Sequence, residues 1–261
     1  MEDRSDIRDS DDRERYGMIR IYIAETAALA DKKVFSRYMD MLDETRQEKV
    51  RRCRNDEDKK RSLLAGYLLQ AGAKEWMMGE SGLQADATPL SLSYAYGEEG
   101  KPRFLEYEKL HFSLSHSGDY VICAFSDQEV GADIQIHRKT GEGIAKRFFS
   151  KEDRLLLDRA GSGQLPEDRA SLFFQIWTVK EAYMKLTGEG MKQGMDTTFI
   201  EWEEENAERG IIRQKAPNAA DKKDSAYFTL YGKIKGYSIA VCSYGKPDKE
   251  IMKELSIGTG M

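Results

Sequence analysis

Tyr120-Val-Ile-Cys-Ala-Phe-Ser-Asp-Gln-Glu-Val-Gly-Ala-Asp-Ile-Gln-Ile136 holds two apolar runs on either side of a short polar turn. Tyr120–Phe125 and Val130–Ile136 each read as a strand, and Ser126-Asp-Gln-Glu129 predicts that they pair as neighbours. Downstream, Ala145–Phe149 and Glu152–Ala160 read as helical, Gly161–Asp168 as a loop and Arg169–Leu186 as a long helix. Thr198–Glu203, Tyr227–Ile234 and Tyr237–Tyr244 then alternate as strands, the last two joined by Lys235-Gly236. Residues 204–225, rich in charge, Asn and Gly, read as a long mobile loop.

Upstream, Met18–Ala24 predicts a first strand, and helices follow over about Val34–Cys53 and Asp56–Met78. The second carries Leu63, Leu64, Tyr67, Leu68 and Ala71 on one face. Leu92–Tyr96, a turn at Gly97–Pro102 and a short strand at Leu110–Leu114 lead back to the opening stretch. Strand, helix, helix, strands is followed by strand, helices, strands. The pattern predicts an α+β protein of two similar α/β lobes without a sequence repeat. The divisions expected are a charged leader over 1–16, lobes over 17–131 and 132–246, and a tail over 247–261.

The composition narrows the function classes. A net charge of −5 argues against a wholesale nucleic-acid binder. No run of 18 apolar residues exists, so no membrane span is expected. Residues 1–16 carry seven acids and four bases, which is unlike a secretory signal and predicts a disordered segment. Cys53, Cys123 and Cys242 are widely separated and read as free thiols, which fits a reducing cytoplasm.

Three segments can carry chemistry. Phe112-Ser-Leu-Ser-His-Ser-Gly118 follows a strand, where hydroxyls and backbone N–H groups can build an anion pocket. Asp133 and Gln135 lie two apart on one face of an otherwise apolar strand, a pattern that suits either a metal or an exposed sheet face. Glu181 and Lys185 stand four apart within Trp177–Gly188, sharing a helix face as a surface ion pair or as an aimed polar face. Five bases against one acid over Thr45–Arg54 read as a solvated helix face or as a surface for a phosphorylated ligand.

Taken in order, HFSLSHSGDYVICAFS, VGADIQ, RFFSKED and FFQIWTVKEAYMKLTGEGM resemble the signature segments of the 4′-phosphopantetheinyl transferases, over about residues 18–245. The nearest type is the long, pseudo-dimeric one that activates surfactin-type synthetases. The resemblance implies two lobes related by a pseudo-two-fold, with the active site in the cleft between them. It implies transfer of the 4′-phosphopantetheine group of coenzyme A to a serine of an acyl or peptidyl carrier protein, leaving adenosine 3′,5′-bisphosphate.

By the same resemblance, Asp133 and Glu181 hold Mg²⁺ against the pyrophosphate, with Gln135 at the position of a third acid. Lys185 meets the phosphates, and Glu181 is the first candidate for general base. Ser115 and His116 match contacts to the nucleotide 3′-phosphate; Lys101, Arg46, Lys49 and Arg61 match other coenzyme A contacts. Two residues depart from the family pattern, Gln135 in place of an acid and Asp153 where glutamate is common. Phe148, Phe149 and the 152–157 segment are expected to dock the carrier, although Leu155 and Leu156 also suit a core. A cytoplasmic monomer is expected. The alternatives are a Mg²⁺-dependent phosphohydrolase, which would release phosphate without a carrier, and a non-catalytic coenzyme A-binding or nucleotide-binding module, which would bind without turnover.

Overall fold

Strand β1 (Tyr16–Glu25) alternates strictly, with Ile19, Ile21 and Ile23 buried on one face and Tyr22 and Ala24 on the other. The computed structural model describes residues 16–79, 92–97, 100–139, 143–165, 168–190, 194–203, 206–215 and 225–258. Of the charged leader only Tyr16 falls within these.

The helix expected over Val34–Cys53 is two helices, α1 (Lys32–Asp40) and α2 (Glu44–Arg51). Asp43 causes the break: its side chain accepts the backbone N–H of Arg46 and so caps a new helix. Asn55 caps α3 (Asp56–Met78) in the same way, through the N–H of Asp58. A small hairpin follows, β2 (Tyr94–Tyr96) with β3 (Pro102–Phe104). Then come β4 (His111–Ser117), β5 (Tyr120–Ser126) and β6 (Val130–Ile136).

β5 and β6 are strands as expected, but they do not pair with each other. β5 lies between β1 and β4, antiparallel to both, whereas β6 pairs with a strand of a second sheet. Both strands are buried on both faces, so two layers must cover each of them. The Ser126–Glu129 turn therefore carries the chain from one sheet to the other instead of closing a hairpin.

The second half supplies α4 (Gly143–Phe148), α5 (Lys151–Gly161) and α6 (Arg169–Thr187). Strands β7 (Thr198–Glu203), β8 (Asn206–Gln214), β9 (Ser225–Tyr231) and β10 (Tyr237–Ser243) complete its sheet. Much of the loop expected over 204–225 is thus strand β8, whose Ile212 is buried; residues 216–224 lie outside the described residues. The segment from Pro247 to Glu254, expected as tail, is strand β11, which runs parallel to β1 and covers its free edge.

The two sheets repeat one topology. The first has the order β11-β1-β5-β4 and the second β6-β10-β9-β8-β7. In each, a strand, its helices and a hairpin follow in turn, and the second hairpin strand returns antiparallel beside the first strand. Helix α3 packs Leu63, Leu64 and Leu68 over Phe112 and Phe125 of the first sheet. Helix α6 packs Ile176, Val179 and Tyr183 over Phe228 and Ala240 of the second. The other faces meet in a third cluster, Ile19, Ile21, Ile23 and Ile122 against Val130, Ile134, Ile239 and Val241. The molecule is therefore α+β, layered helix, sheet, sheet, helix.

A buried ion pair anchors α6. Lys180 and Asp153 are 1% and 0% exposed, with Nζ 2.7 Å from Oδ2. Lys180 also donates to the carbonyls of Met195 (2.7 Å) and Thr198 (2.6 Å). Asp153 accepts from the Ser150 hydroxyl (2.7 Å) and the Ile200 N–H (3.1 Å). With its hydrogen bonds filled, the pair ties α6 to α5 and to the start of β7. Asp153, which the sequence left without a role, is the partner of Lys180, and its short side chain suits that enclosure. Lys180→Met strands the carboxylate and is expected to cost about 3–5 kcal/mol in urea unfolding. The double variant Lys180→Met/Asp153→Leu is expected to recover part of that loss.

Candidate active site

Gly131, Asp133 and Gln135 occupy alternate positions on β6, and this face meets α6. A Cβ on Gly131 would overlap the carbonyl oxygen of Ala182 and the backbone nitrogen of Leu186. Glycine at this position lets the helix lie directly against the strand. The polar positions Glu181 and Lys185 are thereby brought to Asp133, one strand step further on.

Asp133 is 5% exposed, and its Oδ1 accepts from Lys185 Nζ at 2.7 Å and from Ser115 Oγ at 2.6 Å. Lys185 also lies 3.4 Å from the carbonyl of Leu114. The lysine thus bridges the two sheets, because Leu114 belongs to β4. Burial and the neighbouring Asp133 charge push the Glu181 carboxyl above the usual carboxylate range, with Lys185 opposing them. Glu181 and Lys185 share a face as expected, and the lysine takes its ion pair across to the strand.

Gln135 donates its amide Nε2 to the carbonyl of Ile136 at 3.2 Å, which leaves Oε1 with lone pairs to offer. Among the described residues no three of His, Cys, Asp and Glu converge, so the acidic group here is a pair. Asp133 and Glu181 lie close enough for one charge to act on the other, and Gln135 follows Asp133 on the same face of β6, so the donors at hand are all oxygens. That set suits a hard cation such as Mg²⁺, which fills its remaining positions with water or phosphate oxygens.

Two cavities flank this group and share Pro102, Phe112 and Leu114 as a common wall. The smaller, about 280 Å³, is bordered by Glu181, Lys185, Lys101 and Gly188. The larger, about 430 Å³, gathers Arg46, Lys49, Arg61 and His116, so the expected basic residues do come together. Arg46 is 5% exposed, and its Nε has no hydrogen-bond partner among the described residues. Its guanidinium lies 4.9 Å from the ring of Tyr94. A buried cationic donor without a partner is unfavourable until an anion reaches it.

The other basic residues are held differently. Arg61 pairs with Asp58 (2.5 Å) and donates to the carbonyl of Gly118 (3.0 Å). Lys49 is an exposed residue of the cavity wall. Burial, then the charges of Arg61 and Lys185, push the His116 imidazole below its ordinary range, so it is neutral near pH 7. Lys101 is engaged by Glu129 and donates to the carbonyl of Leu186 (2.8 Å), which fixes it in the wall of the smaller cavity.

The Ser-rich segment was expected as a turn beyond a strand. It is strand through Ser117, and the turn comes only at Gly118-Asp119. Ser115 accordingly points at Asp133. Its signal in the sequence was the alternation Ser113, Ser115, Ser117, which is a strand period. The expected docking segment divides: Phe149 and Leu157 are core, Phe148 packs on Trp177, and Leu155 is exposed. Tyr94 and Tyr96, which line the basic cavity, carried no motif in the sequence.

Comparison with known proteins bears on this arrangement. Residues 129–242 match the model of the 4′-phosphopantetheinyl transferase superfamily. The chain is 29% identical over 211 residues to 4′-phosphopantetheinyl transferase Sfp of Bacillus subtilis (strain 168), covering 79% of this chain and 84% of that one. It is 26% identical over 226 residues to 4′-phosphopantetheinyl transferase gsp of Aneurinibacillus migulanus, covering 87% and 86%. With 4′-phosphopantetheinyl transferase psf-1 of Bacillus pumilus it shares 33% identity over 144 residues, 55% of this chain and 57% of that one. The matched span holds Asp133, Glu181 and Lys185, and the two longer alignments extend well into the first half, so the chain is similar to 4′-phosphopantetheinyl transferases through both of its halves.

Proposed function

We propose that this protein transfers the 4′-phosphopantetheine group of coenzyme A to a serine hydroxyl of an apo acyl or peptidyl carrier protein. The products are the holo-carrier and adenosine 3′,5′-bisphosphate. The observation that carries this reading is the junction of a basic cavity with an acid pair and its lysine. Arg46, Lys49, Arg61 and His116 lie on one side of a shared wall, and Glu181 and Lys185 on the other. Coenzyme A has the matching polarity: a phosphorylated nucleotide at one end, a pyrophosphate beside it and a neutral arm beyond.

In this reading Arg46 supplies its unpartnered Nε to the nucleotide phosphates, with Lys49, Arg61 and His116 around them. Lys185 faces the pyrophosphate and offsets the negative charge that grows on the phosphoryl oxygens as the bond breaks. The carrier serine oxygen attacks the phosphorus that bears the pantetheine arm. The bond from that phosphorus to the bridging oxygen breaks, and the bisphosphate leaves with the electron pair. The serine proton passes to Glu181, whose raised affinity for a proton suits an acceptor. Asp133, Glu181 and the Gln135 amide oxygen are the residues that would hold Mg²⁺, which neutralises the pyrophosphate and withdraws electrons from it when bound.

The direct test is mass spectrometry of an apo-carrier incubated with the protein, coenzyme A and Mg²⁺, with and without EDTA. A gain of one phosphopantetheine group that EDTA abolishes is expected. Coenzyme A binding with no gain on fatty-acid, polyketide and peptide carriers would overturn the reading in favour of a binding module. Glu181→Gln is expected to lower turnover by about 10²-fold or more while leaving the unfolding midpoint in place.

A second expectation concerns pH. His116 begins neutral because its environment disfavours the imidazolium, and a phosphate beside it favours the charged form. Binding therefore takes up a proton, and coenzyme A affinity should strengthen as pH falls from about 8 towards 6. Calorimetry in buffers of different ionisation heat measures that uptake, and His116→Gln should remove its share.

A further inference from the structure

We infer that Cys53 is a modification site: its thiol exchanges with the disulfide of an anionic low-molecular-weight thiol, and the group it then carries closes the basic cavity to coenzyme A. This rests on the nucleotide-binding role proposed above for that cavity and adds a means of regulating it.

Of the three cysteines only one is reachable. Cys123 on β5 and Cys242 on β10 are both 0% exposed, and burial pushes both thiols above their ordinary range. Cys53 is half-buried just beyond the end of α2 and borders the larger cavity. Its sulfur donates to the carbonyl of Lys49 (3.5 Å), which sets it against the last turn of that helix.

The surroundings select the partner. Arg46, Lys49 and Arg61 line the same cavity, and Asp58, which also borders it, is paired with Arg61 (2.5 Å). Arg46 is 5% exposed, and its Nε has no hydrogen-bond partner among the described residues. This buried donor independently marks the space beside Cys53 as one for an anion. A disulfide that carries carboxylates is concentrated there, whereas a neutral one is not.

In the exchange the Cys53 thiolate, its proton lost to solvent, attacks one sulfur of the disulfide. That S–S bond breaks, a new one joins Cys53 to the attacked half, and the other half leaves as a thiolate. Cys53 is oxidised, and the departing thiol is the reduced product. The tethered anion then competes for Arg46 at an effective concentration on the order of millimolar.

The test treats the full reduced chain with oxidised glutathione, which is anionic, and with hydroxyethyl disulfide, which is neutral. Intact mass and peptide mapping follow the reaction, and calorimetry measures affinity for adenosine 3′,5′-bisphosphate. One glutathionyl group on Cys53 is expected. With each rate normalised to that of a free cysteine peptide, the anionic disulfide should react about 10-fold faster than the neutral one at low salt. That preference should fall away at about 1 M salt and shrink in Lys49→Met. The modified chain should bind the bisphosphate about 10-fold more weakly or worse, and dithiothreitol should restore it. Cys53→Ser should show the same affinity before and after treatment.

No addition, addition to Cys123 or Cys242 instead, rates indifferent to the charge of the disulfide, or unchanged bisphosphate affinity after modification of Cys53 would each overturn the inference. A reduced chain that binds the bisphosphate yet transfers nothing to any carrier sinks the transferase reading alone, because the binding measurement still decides the role of Cys53.

Discussion

The contact between α6 and β6 at Gly131 is the constraint on which the site depends. A helix normally stands off a sheet by the height of the side chains between them, and here one of those side chains is missing. The backbone of α6 at Ala182 and Leu186 comes down onto the strand. Glu181 and Lys185, one turn apart, flank that contact, and Asp133 is the next residue of β6 on the same face. The helix is held in this pose from its other side by Lys180, whose ammonium is enclosed by Asp153, Met195 and Thr198. Adjacent residues of one helix thus divide the labour: Lys180 anchors it and Glu181 faces the cavity.

The repeated topology explains where the cavities lie, but the two halves contribute unlike chemistry. The first half supplies cations from α2 and α3, with the imidazole of His116 on the edge strand β4 beside them. The second supplies carboxylates from β6 and α6, together with Lys185. Strand β11 crosses back to pair with β1, and its Glu250 accepts a hydrogen bond from Thr229 of β9 (3.0 Å). Its backbone therefore belongs to one sheet while a side chain reaches the other. The hydroxyls of Ser113 and Ser117 on β4, which accept the N–H groups of Ala132 and Ile136 on β6, make a second seam close to the chemistry.

The electrostatics are unfavourable at Arg46 and at Glu181, and each favours a partner of opposite sign. Arg46 is a buried cation with a nitrogen that has no hydrogen-bond partner among the described residues, and Glu181 is a carboxylate whose ionised form is opposed by burial and by Asp133. An anion relieves the first and a cation the second. In the function proposed above, a phosphorylated substrate bound together with a divalent metal would relieve both. Strain of this kind is maintained by the packed layers around it, a common arrangement at functional sites.

Much of this was legible along the chain. The strands at 120–125, 130–136, 198–203 and 237–243, the long helices and the acid–lysine motif all follow from period and residue type, which are local properties. The partners were not legible. The turn at Ser126–Glu129 resembles a hairpin turn, yet it changes sheets, because burial on both faces of β5 and β6 outweighs their closeness in the chain. The stretch from Pro247 looked like a tail because the free edge that it covers is more than 200 residues away. Asp153 stood in the sequence only as a departure from the family pattern and Lys180 carried no reading, and it is their enclosure by two other elements that makes them a pair. The sequence by itself determined the elements and the chemical groups available. The tertiary structure decided which group meets which: Ser115 meets Asp133 because packing of the two sheets brings β6 alongside β4.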